Sequence, residues 1–368
     1  FQRNLAAIIT LQSIEKEKRH AAKAEQETLS KYIGWGGLPE VFDKDNNSYA
    51  GEFAQLKSVL SEDEYEMARA STLNAHYTSP TVIKAIYDTV ERMGFTTGNI
   101  LEPACGIGNF FGLLPGSMTD SRLYGVELDS ITGRIAKQLY PDANIAITGF
   151  EKAEFPDNFF DLAIGNVPFG NYRLSEKRYD NQGFLIHDHF FAKALDKVRP
   201  GGVVAFITSK GTMDKQSPEV RRYLAQRAEL LGAVRLPNIA FLKNAGTEVT
   251  SDILFLQKRD RPIDVARDWI YLDTNENDIT LNRYFAEHPE MILGTMEMKS
   301  GQFGMESTCT PVPNADLAAL LKTAMANIDG NIPEAELPDL EVATATTLPA
   351  DPTVKNFSYT LVDGEVYY

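Results

Sequence analysis

From about Thr78 to Arg259 the chain alternates short apolar runs with amphipathic stretches, and that alternation limits the fold more than any other feature. Asn99–Glu102, Arg122–Glu127, Ala143–Thr148, Phe160–Ile164 and Gly202–Thr208 read as strands. Helical patterns fill the gaps at Pro80–Arg92, Asn109–Leu114, Ile131–Leu139 and Leu185–Val198. Alternation of this kind builds a parallel, doubly wound α/β sheet with helices on its faces. After a helix over Glu219–Leu231, "GAVRLP" and "SDILFLQKR" predict two closing strands.

The flanks read differently. Residues 3–31 predict one long helix, "YIGWGGLPEVFD" an ordered glycine turn around Trp35, and residues 50–70 more helix. Beyond Asp260, "DWIYLD" is a candidate strand, "PNADLAALLKTAMANI" a helix, and residues 330–353 a Pro/Ala/Thr/Glu-rich linker. The 368 residues suffice for one large domain with appendages or for two domains. No apolar run approaches the roughly 18 residues of a membrane span, and the charged N-terminal helix has no signal-peptide cleavage pattern. Cys105 and Cys309 make neither a disulfide framework nor a zinc spacing, so a reducing, cytoplasmic setting is expected. The start at Phe1 and the end at "DGEVYY" read as an excerpt from a longer polypeptide.

The net charge of −15 speaks against a nucleic-acid partner, but its distribution is uneven. Residues 170–259 carry 15 Lys and Arg against 9 Asp and Glu, whereas residues 260–368 carry 6 against 19. Arg173, Lys177, Arg178, Lys210, Lys215, Arg221 and Arg222 are candidates for phosphate contacts; as scattered surface charges they need no explanation.

Ligands bind a doubly wound sheet beyond the carboxyl ends of its strands. The first strand runs into "ILEPACGIGNFF" (100–111), where Gly106 and Gly108 allow a tight turn and close backbone approach to a ligand. Such a turn alone serves a nucleotide, a flavin or nothing, and Phe111 stands where a dinucleotide fingerprint places its third glycine. The second strand ends in "GVELDS". Its Glu127 lies about 20 residues past the glycine turn, the geometry for gripping ribose hydroxyls through two carboxylate oxygens. "YTSP" (77–80) opens the helix before the first strand, and taken alone it is a plain N-cap with an early proline. The fourth strand ends in "AIGNVPFGN" (163–171), which sets an amide, a proline and an aromatic together between Gly165 and Gly170.

Together the blocks "YTSP", "LEPACGIGNF", "GVELD", "NVPF" and "KVRPGGVVAFITS", in this order over roughly residues 72–259, resemble the gamma-class adenine-N6 DNA methyltransferases that use S-adenosylmethionine. The flanks "NLAAIITLQSIEKEKRHAAKAEQETLSKYIGWGGLPEVFD" and "RYFAEHPEMILGTM" resemble very large methylase–helicase proteins of conjugative elements and phages. The resemblance implies a Rossmann-like core at 72–260 with a mostly parallel seven-stranded sheet and a closing antiparallel strand. It would carry a helical extension at 1–71 and an acidic extension at 261–368. It implies transfer of a methyl group to the N6 amine of an adenine flipped out of DNA, in the setting of restriction-modification and mobile elements. Asn166, Pro168 and Phe169 would act on the base. Tyr77, Thr78, Glu102, Pro103, Ala104, Gly106, Gly108, Glu127, Leu128, Phe150 and Asn166 would hold the cofactor. Within that set, Glu127 would take the ribose, Leu128 and Phe150 would sandwich the adenine, and Glu102 would order the turn or meet the amino group.

The chemistry suits the residues. An exocyclic amine conjugated to its ring is a poor nucleophile, and two acceptors on its N–H groups turn the lone pair outward. The Asn166 side chain supplies one acceptor and a main-chain carbonyl near Val167 or Pro168 the other, held by the fixed φ of proline. Phe169 offers a stacking face worth roughly 1–3 kcal/mol. Two positions depart from the family: Val167 stands where a second proline is usual, and Gly149 where an acid commonly meets the cofactor's adenine amine, leaving Glu151 or a backbone group to substitute. A protein glutamine N5-methyltransferase, or a catalytically weak module binding cofactor or DNA within a larger helicase-type protein, are the alternatives. His187 and His189 form an H-x-H that a helix would split between faces, and no metal site is expected. His76 reads as structural, Cys105 as a small packing residue, and Trp35 as a packing anchor before a stacking platform.

Overall fold

The computed structural model describes residues 1–72, 78–241, 248–264, 269–301 and 304–334, together with the strands Thr360–Val362 and Glu365–Tyr367. Residues 1–334 form one compact unit. Residues 335–368 form a second, in which those two short strands pair antiparallel.

Seven strands make the central sheet: β1 (Asn99–Glu102), β2 (Arg122–Glu127), β3 (Asn144–Ile147), β4 (Phe160–Asn166), β5 (Val198–Ser209), β6 (Ala228–Leu236) and β7 (Ser251–Lys258). Their order is β3-β2-β1-β4-β5-β7-β6, parallel throughout except for β7, which runs against both neighbours. This is the Rossmann-like arrangement expected from the sequence. The strand order reverses between β1 and β4, and that is where such a sheet opens a crevice at its carboxyl edge. β4 reads "FDLAIGN" and is buried along its whole length up to Gly165, as a strand covered on both faces must be.

Helices α1 (Gln2–Lys16), α2 (Lys23–Leu29), α3 (Ala50–Val59) and α4 (Glu62–Ser71) precede the sheet. The single helix expected over residues 3–31 is broken. Lys18 takes a left-handed φ of +52°, and the Glu25 carboxylate accepts from the Ala22 amide at 2.8 Å, starting α2 afresh. Trp35 is fully buried, edge-on to Phe42 at 5.4 Å, in a cluster with Ile8, Leu11 and Leu29. That cluster also takes in Ile131 and Ile135 of α7 (Ser130–Leu139), and Arg134 of α7 bridges Glu15 and Glu64.

Helix α5 (Pro80–Arg92) leads into β1, α6 (Asn109–Gly112) follows the glycine turn, and α8 (Ile186–Lys197) joins β4 to β5. The helix expected over Glu219–Leu231 stops at Arg227, because Ala228 onward pairs with β7 as β6. Among the described residues near "DWIYLD", only Leu272–Thr274 is a strand, paired with Thr280–Asn282, while Trp269 and Ile270 are buried in the main core. That core also holds Phe285, Met291, Cys309 and the helix Leu317–Met325. No helix among the described residues is long and apolar enough to cross a membrane.

Candidate active site

At the end of β1 the backbone stays in the sheet for one more bond, Cys105 N–H to Val126 O at 2.9 Å, and then turns sharply. Gly106 and Gly108 have φ of +56° and +86°, values that L side chains rarely adopt. The space over Gly106 is open, with no heavy atom within 4 Å of where a Cβ would stand. Gly108 is instead seated against the Tyr140 ring, so any side chain there would collide with it. One glycine leaves room for a ligand; the other lets the turn close down on α7. Between them, Ile107 is buried in the Trp35 cluster, which fastens the turn to the N-terminal helices.

Two carboxyls converge on this turn. Glu127, at the end of β2, accepts from the Gly106 amide at 2.9 Å and through its other oxygen from the Asp129 amide at 2.8 Å. Burial, and then the neighbouring Asp129 charge, push its pKa up to about 7. Glu102 is 2% exposed, and its Oε2 has no hydrogen-bond partner. Burial, and then Glu127, push its pKa well up. A buried carboxyl oxygen left unpaired is costly, and a cationic or N–H-bearing ligand would satisfy it. Cys105 is buried and its thiol is pushed up by burial and then by Glu102, so it packs as a neutral small residue.

The stretch "NVPF" closes β4 beside this turn. Gly165 has a φ of +150°, and a Cβ there would stand 3.3 Å from Cγ of Glu102. Only glycine lets the end of β4 come this close to the acid of β1. Asn166 is the last residue of β4, in register with Ile207 of β5. Val167 is buried and its amide donates to Ile207 O at 3.1 Å, which extends the β4–β5 ladder by one bond. A proline at 167 would have no N–H for that bond. Pro168, Phe169 and Gly170 are half-buried at the crevice.

The remaining expected residues fall around the same edge. Thr78 is buried ahead of Ser79, whose hydroxyl caps α5 at Val82 N. Pro103 lies by Gly165, and Ala104 packs partly buried against the main core. Leu128, 64% exposed, projects from the β2 end, whereas Phe150 is buried against Phe190 at 4.9 Å. Leu128 is therefore open to a ligand from solvent, and Phe150 presents little free surface. The Glu151 carboxylate occupies the space that a side chain at Gly149 would take. Tyr77 and His76 lie outside the described residues.

Most of the seven candidate phosphate contacts already have a partner within the chain, some of them at the surface. Arg178 pairs with Asp157 and Asp196, Lys215 with Asp188 and Arg222 with Glu219. Lys210 donates to Ser307, and buried Arg221 donates to the Ile270 and Lys215 carbonyls. Arg173 and Lys177 remain exposed, without an ion-pair partner among the described residues. The sequence also gave no sign that Glu176 ties the segment after the clamp to α8, through His189 at 2.8 Å and Lys193 at 3.0 Å. Both histidines of the H-x-H are buried on α8.

No protein-family model matches the chain. Among curated proteins, it is similar to Defense against restriction protein B of Escherichia phage P1, with 31% identity over 210 residues, covering 55% of this chain and 9% of that protein. The chain thus spans less than a tenth of that relative's length. Among solved structures, a putative class I S-adenosylmethionine-dependent methyltransferase from Listeria monocytogenes superposes with a TM-score of 0.46 at 16% identity, over 73% of this chain and 90% of that one. A modification subunit of a putative type I restriction enzyme from Vibrio vulnificus gives 0.43 at 16%, over 74% and 69%. The M protein of the type I restriction enzyme EcoKI gives 0.43 at 12%, over 89% and 87%. These superpositions are distant and carry no weight for the chemistry.

Proposed function

We propose that this chain is an S-adenosylmethionine-dependent methyltransferase acting on the N6 amine of an adenine extruded from DNA. The observation that carries the reading is the approach of Gly165 to Glu102, which sets the Asn166–Phe169 clamp beside an open glycine turn bearing an unpaired buried carboxyl. The residues suit the cofactor. The unpaired Oε2 of Glu102 suits a charged amino group, the open face of Gly106 suits close backbone approach, and Glu127 suits a pair of ribose hydroxyls. Leu128 covers one side of an adenine, and Glu151 takes the place of an acid at 149. When bound, the cofactor supplies a methyl group activated by a sulfonium.

The protein's part is positioning. The Asn166 carboxamide oxygen and a main-chain carbonyl at Val167 or Pro168 accept the two N–H bonds of the adenine amine and aim its lone pair into the crevice. Phe169 stacks on the ring, which has left the helix because its target atom is out of reach inside the stack. Val167 keeps the clamp on β5 through its own amide, so the missing second proline is compensated by a ladder bond. With most of the basic side chains engaged internally, the grip on duplex DNA comes largely from further domains of a longer polypeptide. The phage relative's name, defence against restriction, agrees with a DNA target, since a methylated base can hide a site from a cleaving enzyme.

Incubation with labelled S-adenosylmethionine and either unmethylated DNA or a protein extract tests this. Label appearing as N6-methyladenine, and lost in Asn166→Ala, is the expected result. Label in glutamine instead selects the protein methyltransferase, and cofactor binding without transfer to either substrate leaves a binding module.

A further inference from the structure

The helices that precede the sheet hold the candidate cofactor site at two points. Ile107 stands between Gly106 and Gly108 and is 4% exposed. Its side chain belongs to the apolar cluster of Trp35, Ile8 and Leu11, not to the main core that covers the sheet. The same cluster takes in Ile131 and Ile135 of α7. Polar ties reinforce this second hold. Arg134 bridges Glu15 and Glu64, the Gln138 side chain accepts from the Ala21 amide at 2.9 Å, and Gln26 donates to the Gln138 carbonyl at 2.9 Å. One set of helices thus grips two separate segments, the turn after β1 and the helix after β2.

Glu127 spans those two segments. One of its carboxylate oxygens accepts from the Gly106 amide, next to Ile107, and the other from Asp129, the N-cap residue of α7. A carboxylate held by two amides keeps its place only while both amides keep theirs. Gly106 and Gly108 both take left-handed φ values, and glycine backbone is the least constrained of any residue. The side chain between them is what ties the turn down.

We infer that Ile107 is a positioning residue for the cofactor: through it, the Trp35 cluster sets the approach of the Gly106 amide to Glu127, and with it the grip on the ribose. The inference rests on the reading of the glycine turn as the seat of S-adenosylmethionine, and adds that helices α1–α4 tune the affinity of that seat. Coupling between two sites is reciprocal, so bound cofactor steadies the helices in return.

The test is S-adenosylmethionine affinity by titration calorimetry between pH 6 and 8, on the whole chain. Ile107→Ala weakens binding about tenfold, as expected for the loss of one hydrogen bond. It also moves the midpoint of the pH dependence upward, because Glu127 loses a donor that favours its ionised form. Glu102, Cys105 and Asp129 also face Glu127, and the substitution alters none of those side chains. Leu254→Ala, a truncation in the main core on β7, lowers the melting temperature but leaves affinity and midpoint in place. Where Ile107→Ala does not fold, Ile107→Val gives the same upward shift with a smaller loss of affinity. In the intact chain, bound cofactor slows amide hydrogen exchange in α1. An unchanged affinity and midpoint in the Ile107 variants, an equal loss in Leu254→Ala, or no protection of α1 each overturns the role of Ile107. An intact chain that binds no S-adenosylmethionine overturns the cofactor reading itself.

Discussion

On β6 and β7 the buried guanidinium of Arg235 meets Asp252 through two bonds of 2.8 and 2.9 Å, with Asp214 at 2.8 Å and the Phe285 ring beneath it at 4.3 Å. Burial works against that charge, but Asp252 and Asp214 outweigh it and push the Arg235 pKa up. At the ends of β1 and β2 the equally buried Glu102 and its neighbour Glu127 have no ion-pair partner among the described residues. The first cluster sets its cation against two carboxylates and ties β6 to β7 and to the segment that precedes them. The second is incomplete and holds carboxyls in a protonation state that a ligand would change. Buried charge that is paired serves architecture, and buried charge left unpaired at a strand end marks a site.

The largest effect should come from breaking the paired cluster. Arg235→Met strands two buried acids, and urea unfolding should show a loss of about 3–5 kcal/mol; a stable variant would end the contrast drawn above. Asn166→Ala should lower the methylation rate about a hundredfold, far more than it moves the unfolding midpoint. Glu102→Gln sharpens the contrast, because it replaces a buried carboxyl that has no ion-pair partner, and whose charged form burial disfavours, with a neutral amide. Its melting temperature should hold or rise while titration calorimetry finds S-adenosylmethionine bound roughly tenfold more weakly.

The acidic pair also sets a pH dependence. Glu127 is protonated below its pKa of about 7 and ionised above it, and the ionised form accepts ribose hydroxyls. Cofactor affinity measured between pH 6 and 8 should therefore climb, on the order of the one-proton linkage. Without ligand the sign is opposite. A carboxyl whose pKa is raised on folding costs stability as pH rises from the ordinary carboxylate range through about 7, so the melting temperature should fall over that window. The smallest change is Val167→Pro, which deletes the amide bonded to Ile207. It should cost about 1 kcal/mol in urea unfolding, and methylation should survive.

Much of the scaffold was legible because strands and helices of this core carry clear apolar periodicity. The strands β1, β2 and β4 and the helix α5 begin where the pattern places them. The errors fell where a partner distant in sequence overrides local preference. Ala228–Leu231 continue a helical pattern, yet β7 draws them into the sheet. One error had a local cause instead: the break after Lys16 goes with the left-handed Lys18 and the Glu25 cap on the Ala22 amide, details with no apolar signature. The strand-end motifs were visible as residue types, but the sequence could not show that most of the candidate phosphate contacts already meet a partner within the chain, Arg178 and Arg222 while still exposed. A sum of charges does not say which are already neutralised.

By itself the sequence determined the alternation that winds the sheet, the glycine turn after β1, and the amide, proline and aromatic that end β4, since each follows from the chemistry of adjacent residues. Only the tertiary structure decided that Gly165 meets Glu102, that Val167 is held by β5, that Glu151 fills the place left at Gly149, and which lysines and arginines remain exposed. Those facts belong to pairs of residues brought together by strand order, and strand order is settled by the packing of the whole core.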